Sequence, residues 1–408
     1  MTGRQKIQAA LSPGGTDAFA AVICYEGIYV RDHWSQLTAL PWWTRFHPDV
    51  EQQAAWRRDA FARTGQDWFE LPLCPSGAAR ESLRIEASAD GVVLVDRRTG
   101  EAEHLKQPMV GGWTAPGRLE SVKANRLPET AAELDLLIPP PTGEDPAQAA
   151  ADGRGDLAAR LLEEFGQTLY PIRSVDAPLW RCYGLWGFEG MMTLAADRPD
   201  LVEHACGRFL ARALHSVRQS AALGAAGIWV EDCLTDLVSP EAFARLNVPL
   251  LRAITDAIRA AGMKSVYYFC GNPAGKWELL LSVGADALSL EESKKGFTID
   301  IEEVVERAGG RCAVLGNLDA IGLLPSGTEA RLRAEIARQL TAGRRSGGRF
   351  IMSVGSPVTP GTPVERVRRY CELVHELGSA QGGPSFSGAA GHTDGSCPAK
   401  ASRAVPQE

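Results

Sequence analysis

From about residue 165 onward the chain repeats one beat: a short apolar run, a polar end, then a stretch where apolar residues recur at helical spacing. This alternation predicts parallel strands joined by crossover helices. The predicted strands are 178–183, 226–231, 265–270, 286–290, 311–316 and 349–354. The predicted helices are 199–223, 239–261, 273–284, 300–308, 326–346 and 363–378. Ser239-Pro240-Glu241 marks a helix start, with a capping hydroxyl, a proline where no N–H is needed and an acid against the helix dipole. Gly262 suits that helix's end, and Pro249 predicts a break inside it because proline cannot donate the backbone bond. Four strand ends carry polar or thiol chemistry: VYYFCGN at 266–272, DALSLEES at 286–293, VLGNLD at 314–319 and MSVGSPVTPGTP at 352–363. In a parallel barrel the C-terminal strand ends line the pocket. The fold expected is therefore α/β, a (β/α)8 TIM-type barrel whose main part covers 166–379.

Residues 1–165 are less regular and read as an N-terminal elaboration contributing to the barrel mouth. They include an aromatic-rich stretch at 23–43 and a hairpin at 83–105, where Asp90-Gly91 and Thr99-Gly100 sit between alternating apolar and polar residues. Residues 137–155 read as a Pro/Gly linker or exposed loop, and 380–408, rich in Gly, Ser and Pro, as a disordered tail.

Charge narrows the function. Forty-three basic against fifty acidic residues leave no basic stripe for a nucleic acid. No run approaches the roughly 20 apolar residues of a membrane span, and the N-terminus lacks a signal-peptide core, so a cytoplasmic protein is expected. Nine widely spaced cysteines, mostly inside apolar runs, read as reduced thiols rather than a disulfide framework.

The run from 226 to about 377 resembles the uroporphyrinogen decarboxylase superfamily, which includes the decarboxylase of haem biosynthesis and zinc-dependent methyltransferases acting on corrinoid proteins and thiols. The likeness rests on GIWVEDCLTDLVSPEAF at 227–243, YYFCGN at 267–272, VLGNLD at 314–319 and TPGTP at 359–363. It implies an eight-stranded barrel with its pocket at the C-terminal mouth. For the methyltransferase branch it implies zinc on a His-x-Cys pair, a later Glu and a Cys near the last strand. Cys270 and Glu291 fall at two of those places, but Tyr268 stands for the His and Ser356 for the last Cys. Phenol and hydroxyl are poor zinc ligands. Zinc is then expected only if Cys233, Glu231 or Asp232 completes a rearranged site. For the decarboxylase branch the likeness implies an N-terminal arginine-rich motif. Its nearest counterpart is Tyr25-Glu26-Gly27 with Val30-Arg31-Asp32-His33-Trp34, which has one arginine. One guanidinium can hold one carboxylate bidentately, not the many of a porphyrinogen.

The leading expectation is cofactor-independent decarboxylation of a small aromatic or heteroaromatic carboxylate. Arg31 would anchor the carboxylate, Asp232 or Glu231 would stabilise a cationic ring-protonated intermediate, and Tyr268 or His33 would supply the proton. Glu291 joins the catalytic candidates, unless Lys294 or Lys295 takes it into a salt bridge. Tyr25, Asn272, Asn317, Asp319 and Ser356 complete the substrate-binding candidates, although Asp319 reads equally as a helix cap. The alternative is methyl or alkyl transfer through a rearranged zinc-thiolate site with Cys270 and Glu291 as ligands and a corrinoid protein as a partner. The third reading is a non-catalytic small-molecule-binding barrel. A homodimer is compatible with the exposed helices, and no residue pattern requires one.

Overall fold

The computed structural model describes residues 1–110, 128–141, 145–294 and 296–379. Eight parallel strands follow one another around a nearly closed barrel: β1 (Ala21–Val22), β2 (Trp68–Glu70), β3 (Tyr170–Asp176), β4 (Gly227–Cys233), β5 (Lys264–Cys270), β6 (Ala287–Leu290), β7 (Ala313–Leu315) and β8 (Phe350–Ser353). β8 pairs back onto β1, with Ala21 opposite Met352. The seam between β1 and β2 is closed by Asp67, whose carboxylate accepts the Ala21 N–H at 2.7 Å while its own N–H donates to the Ala21 carbonyl at 2.8 Å. Helices form the outer layer, and no helix of the described residues is long and apolar enough to cross a membrane. The strands from β4 onward are nearly continuous apolar runs because both faces are buried, one in the barrel and one under helices. Fully buried side chains such as Phe243, Phe269 and Phe350 each contribute about 1.5–3 kcal/mol by leaving water.

The strand expected at 178–183 is instead the start of the helix Pro178–Asp197, and the real strand lies just before it at Tyr170–Asp176. The cause is local. Arg173, Ser174 and Asp176 interrupt the apolar run of the true strand, whereas Pro178 sits at a helix N-terminus where its missing N–H costs nothing. Arg173 points outward, donating to Ser220 Oγ at 3.0 Å and to the Leu71 carbonyl at 2.7 Å. The long helix expected over 239–261 does break: Pro240–Leu246 and Val248–Ala260 flank Asn247, and Pro249 lies in the first turn of the second helix.

The N-terminal segment supplies β1, β2 and the helices Glu26–Leu37 and Val50–Thr64. The expected hairpin is a three-stranded antiparallel sheet, Leu83–Ser88, Gly91–Asp96 and Ala102–Leu105, inserted between β2 and β3. Within the expected linker, Gln148–Ala151 forms a short helix. The expected tail at 380–408 lies outside the described residues.

Candidate active site

Strand alternation decides which side chains reach the barrel interior. On β4 and β5, Glu231 pairs in register with Tyr268, and Cys233 with Cys270. These four share a face with Trp229, and their neighbours Asp232, Tyr267 and Phe269 point to the helices. Trp229 stacks on Tyr268 with centroids 4.8 Å apart, and Tyr25 meets both rings edge-on at 6.3 and 5.6 Å. Trp68 from β2 packs edge-on against Trp229 at 5.8 Å. Tyr25 reaches this cluster because it turns the chain in a left-handed conformation, φ 57°, immediately before its helix begins. Its hydroxyl lies 3.5 Å from Cys233 Sγ.

A cavity of about 280 Å³ opens beside these rings, walled by Tyr25, Trp68 and Trp229 and by the carboxyls of Glu26, Glu70 and Glu231. None of the three carboxyls forms an ion pair among the described residues. Burial pushes Glu231 up to about 7, with Asp176 adding to it, while bonds from Cys233 and Tyr25 pull the other way. Burial, and then Glu70, push Glu26 up to about 8, although Gln66 donates to it at 2.7 Å. Glu70 is raised by burial too. Contact with the Cys270 thiol, and then burial, keep Cys233 protonated.

Asp232 lies on the other face of β4, fully buried, accepting from Thr235 Oγ1 at 2.8 Å, Asn247 Nδ2 at 2.8 Å and Tyr267 Oη at 2.7 Å. Burial pushes it up to about 6 against those three bonds. Arg31 is bound to its neighbour Asp32 by two bonds, 2.7 and 3.1 Å. His33 is buried with Nδ1 at 2.9 Å from the Tyr29 carbonyl. Asn272 holds its loop, donating its N–H to Asp236 Oδ2 at 3.0 Å. The preceding Gly271 has φ 133°, and a Cβ there would stand 2.2 Å from Asp236 Cγ. Asn317 ties down the segment after β6, donating to the carbonyls of Glu291 at 3.1 Å and Ile299 at 2.9 Å. Asp319 caps a turn through the N–H groups of Ile321, Gly322 and Leu323. Of the expected site residues, the structure brings Tyr25, Glu231, Tyr268 and Cys270 together and leaves Arg31, Asp232, His33, Asn272, Asn317 and Asp319 outside the cavity wall.

A second acidic cluster sits just past the C-terminal ends of β6 and β8. Lys294 Nζ pairs with Glu291 at 2.5 Å and donates to Ser356 Oγ. Glu292 is buried beside them, neither of its oxygens has a hydrogen-bond partner, and burial raises it despite the Lys294 charge. A Cβ on Gly355 would fall 2.3 Å from the Glu292 nitrogen, so β8 can approach only as glycine. This arrangement tests the zinc expectation. Tyr268 gives its hydroxyl to the Gly355 carbonyl at 3.0 Å, and an ammonium stands between Glu291 and Ser356 where a divalent ion would need them. No three His, Cys, Asp or Glu side chains of the described residues group as metal ligands. The donor set therefore does not fit zinc.

Sequence reasoning missed Glu26, Glu70, Trp68, Arg45 and Arg57 as cavity residues. A signal existed for one of them: Trp68-Phe69-Glu70 is an apolar run closed by an acid, the same form that singled out Glu291.

The family model described as uroporphyrinogen decarboxylase (URO-D) matches residues 128–377. Uroporphyrinogen decarboxylase 2, chloroplastic, of Arabidopsis thaliana is 26% identical over 234 residues, 55% of this chain and 56% of that one. The uroporphyrinogen decarboxylase of Solibacter usitatus is 29% identical over 156 residues, 38% of this chain and 43% of that one. The chain thus spans about half the length of these curated relatives. Among solved structures, a methyltransferase from Methanosarcina mazei matches with a TM-score of 0.60 and 18% identity, covering 92% of this chain and 99% of that chain.

Proposed function

This chain belongs to the uroporphyrinogen decarboxylase family, and we propose that it is an enzyme of methyl or alkyl transfer acting on a positively charged donor. One observation carries the reading: every charged side chain lining the inner cavity among the described residues is a carboxyl, and Tyr25, Trp68 and Trp229 join isoleucines in the rest of the wall. A polyanionic porphyrinogen would be repelled there. A sulfonium or quaternary ammonium group would be held by ring faces and carboxylates together. Such a group also activates its own methyl, because the donor heteroatom leaves neutral.

In this reaction the methyl carbon passes from the donor sulfur or nitrogen to an acceptor thiol. The electron pair of the broken bond stays on the donor atom, the thiol sulfur forms the new bond, and the thiol proton goes to Glu231. A base poised near 7 suits that transfer. Tyr25 and Trp229 hold the donor, and Trp68 closes the wall. The overall likeness to the Methanosarcina mazei methyltransferase supports the reading at the level of fold.

A second reading is decarboxylation of a small aromatic carboxylate. It is favoured by Glu231 at about 7 and Glu26 at about 8, which make carboxylic acids able to protonate a ring at neutral pH. The two readings separate in one experiment. The protein is supplied with methyl-labelled sulfonium and quaternary ammonium donors plus a small thiol, and in parallel with aromatic carboxylates. Labelled thioether, reduced at least a hundredfold in Glu231→Gln, is the expected result. Carbon dioxide release with no methyl transferred would overturn the proposal in favour of decarboxylation.

A further inference from the structure

Next to the inner cavity lies an outer one of about 230 Å³, and the two share Glu26, Gly27 and Glu70 as walls. Its distinguishing residues are Arg45, from the turn Trp42–Phe46, and Arg57, from the helix Val50–Thr64. Neither guanidinium forms an ion pair among the described residues. Arg57 lies 4.0 Å over the Trp56 ring and donates to the carbonyl and Oε1 of Gln53 at 3.0 and 2.8 Å. These acceptors are neutral: they fix the guanidinium without forming an ion pair. The same Gln53, itself buried, donates to the backbone carbonyls of Arg45 at 2.6 Å and His47 at 3.1 Å, so one amide holds the Arg57 guanidinium and the backbone of the Arg45 turn.

Two half-buried cations on one cavity wall, neither in an ion pair among the described residues, repel each other, and an anion between them relieves the repulsion. Burial acts on both guanidiniums in that direction, while Glu26 and Glu70 favour the Arg57 charge more than Arg45 opposes it. Arg57 is pushed down to about 10, by burial first and by Arg45 in part, and Arg45 is lowered by burial and then by Arg31. Glu26 and Glu70 on the shared wall favour Arg57 electrostatically but are themselves raised by burial, Glu26 to about 8.

We propose that the outer cavity is a receptor for a carboxylate and that the substrate is a small zwitterion, with its onium head among Tyr25, Trp68, Trp229 and Glu231 and its carboxylate on Arg45 and Arg57. The onium half rests on the methyl-transfer reading, and the anion half stands apart from it. The anchoring role moves from Arg31 to Arg45 and Arg57. Arg31 spends both faces of its fork on Asp32, whereas Arg45 and Arg57 face a cavity.

The test is titration calorimetry on the full chain with trimethylammonio-carboxylates of one to three methylene spacers. Tetramethylammonium serves as the cation alone, and 3,3-dimethylbutyrate as the anion with a neutral head of the same shape. At least one zwitterion should bind tenfold or more tightly than either control. Arg45→Gln and Arg57→Gln, checked for folding by thermal melting, should each weaken the zwitterion at least tenfold and leave tetramethylammonium unchanged. A zwitterion no tighter than tetramethylammonium, or one whose affinity survives both substitutions, overturns the inference. Arginine-dependent binding of 3,3-dimethylbutyrate equal to that of the zwitterion would remove the onium half alone. If the binding pattern holds and no methyl group moves, the reaction reading falls and the zwitterion site stands.

Discussion

Two acidic clusters sit at the C-terminal strand ends of the barrel, and they differ in where their counter-charge comes from. Around Glu291 and Glu292 the chain provides its own cation, Lys294, bound to Glu291 and to Ser356. Around Glu26, Glu70 and Glu231 no cation of the described residues comes within ion-pair distance, and the space that a cation would need is open. Burying a charge without a partner is costly, so a protein retains such groups where something else completes them. The Lys294 cluster carries its own counter-charge and reads as architecture. The Glu231 cluster is incomplete and reads as the place where a ligand goes.

Breaking each cluster should have opposite consequences. The largest effect is expected from Glu231→Gln, which removes the proton acceptor and should lower turnover by about 100- to 10,000-fold with the melting temperature preserved. Steady-state kinetics alongside a melt will show whether activity and stability part in this way. Lys294→Met should do the reverse for the fold, leaving Glu291 and Glu292 buried without their cation and costing about 3–5 kcal/mol in denaturant unfolding. An unfolding midpoint equal to wild type would mean that the Lys294 cluster does not neutralise itself.

The same contrast holds between adjacent residues of β4. Asp232→Ala strips Thr235, Asn247 and Tyr267 of their shared acceptor and should destabilise by about 2–4 kcal/mol. Affinity for tetramethylammonium should be unaltered, because Asp232 faces the helices. Loss of binding without loss of stability would show instead that Asp232 serves the site.

Smaller in size but sharper in sign is the pH–rate profile. If Glu231 accepts the thiol proton it must be ionised, so kcat/KM should climb as pH passes about 7. If it donates a proton for decarboxylation, the same limb should fall. The smallest effect expected is on stability. Glu26→Gln replaces a buried acid by a neutral amide and should change the fold by about 1 kcal/mol or less, in the stabilising direction.

The barrel itself was legible where the strand and helix beat recurs, from β4 to β8, even through the three-residue β7, and the family likeness rested on those same ends. β1 and β2 were not, since they lie in the irregular N-terminal segment that lacks that beat, and β3 was lost because Arg173 and Asp176 break its apolar run. The site suffered for the same reason. Glu70 ends the three-residue β2 and Glu26 opens the helix after β1, while Arg45 and Arg57 hang from a turn and a helix that only tertiary packing brings to the cavity. The choice between Glu231 and Asp232 was a matter of one position, and side chains on a strand change faces at every step. Pairing with Tyr268 settles which of the two faces the barrel.

The central claim is that the inner cavity awaits a cation, and its most direct test is the affinity for tetramethylammonium at pH 6 and pH 8.5, with proton release measured in buffers of different ionisation heat. Glu231 faces Asp176, Cys233 and Tyr25, and Glu26 faces Glu70, Arg57 and Gln66. With pKa values of about 7 and about 8, both acids are largely protonated at the lower pH and largely ionised at the higher. The account predicts binding tighter by about tenfold or more at pH 8.5, with protons released on binding at pH 6. Binding independent of pH, or none at either pH, would contradict it.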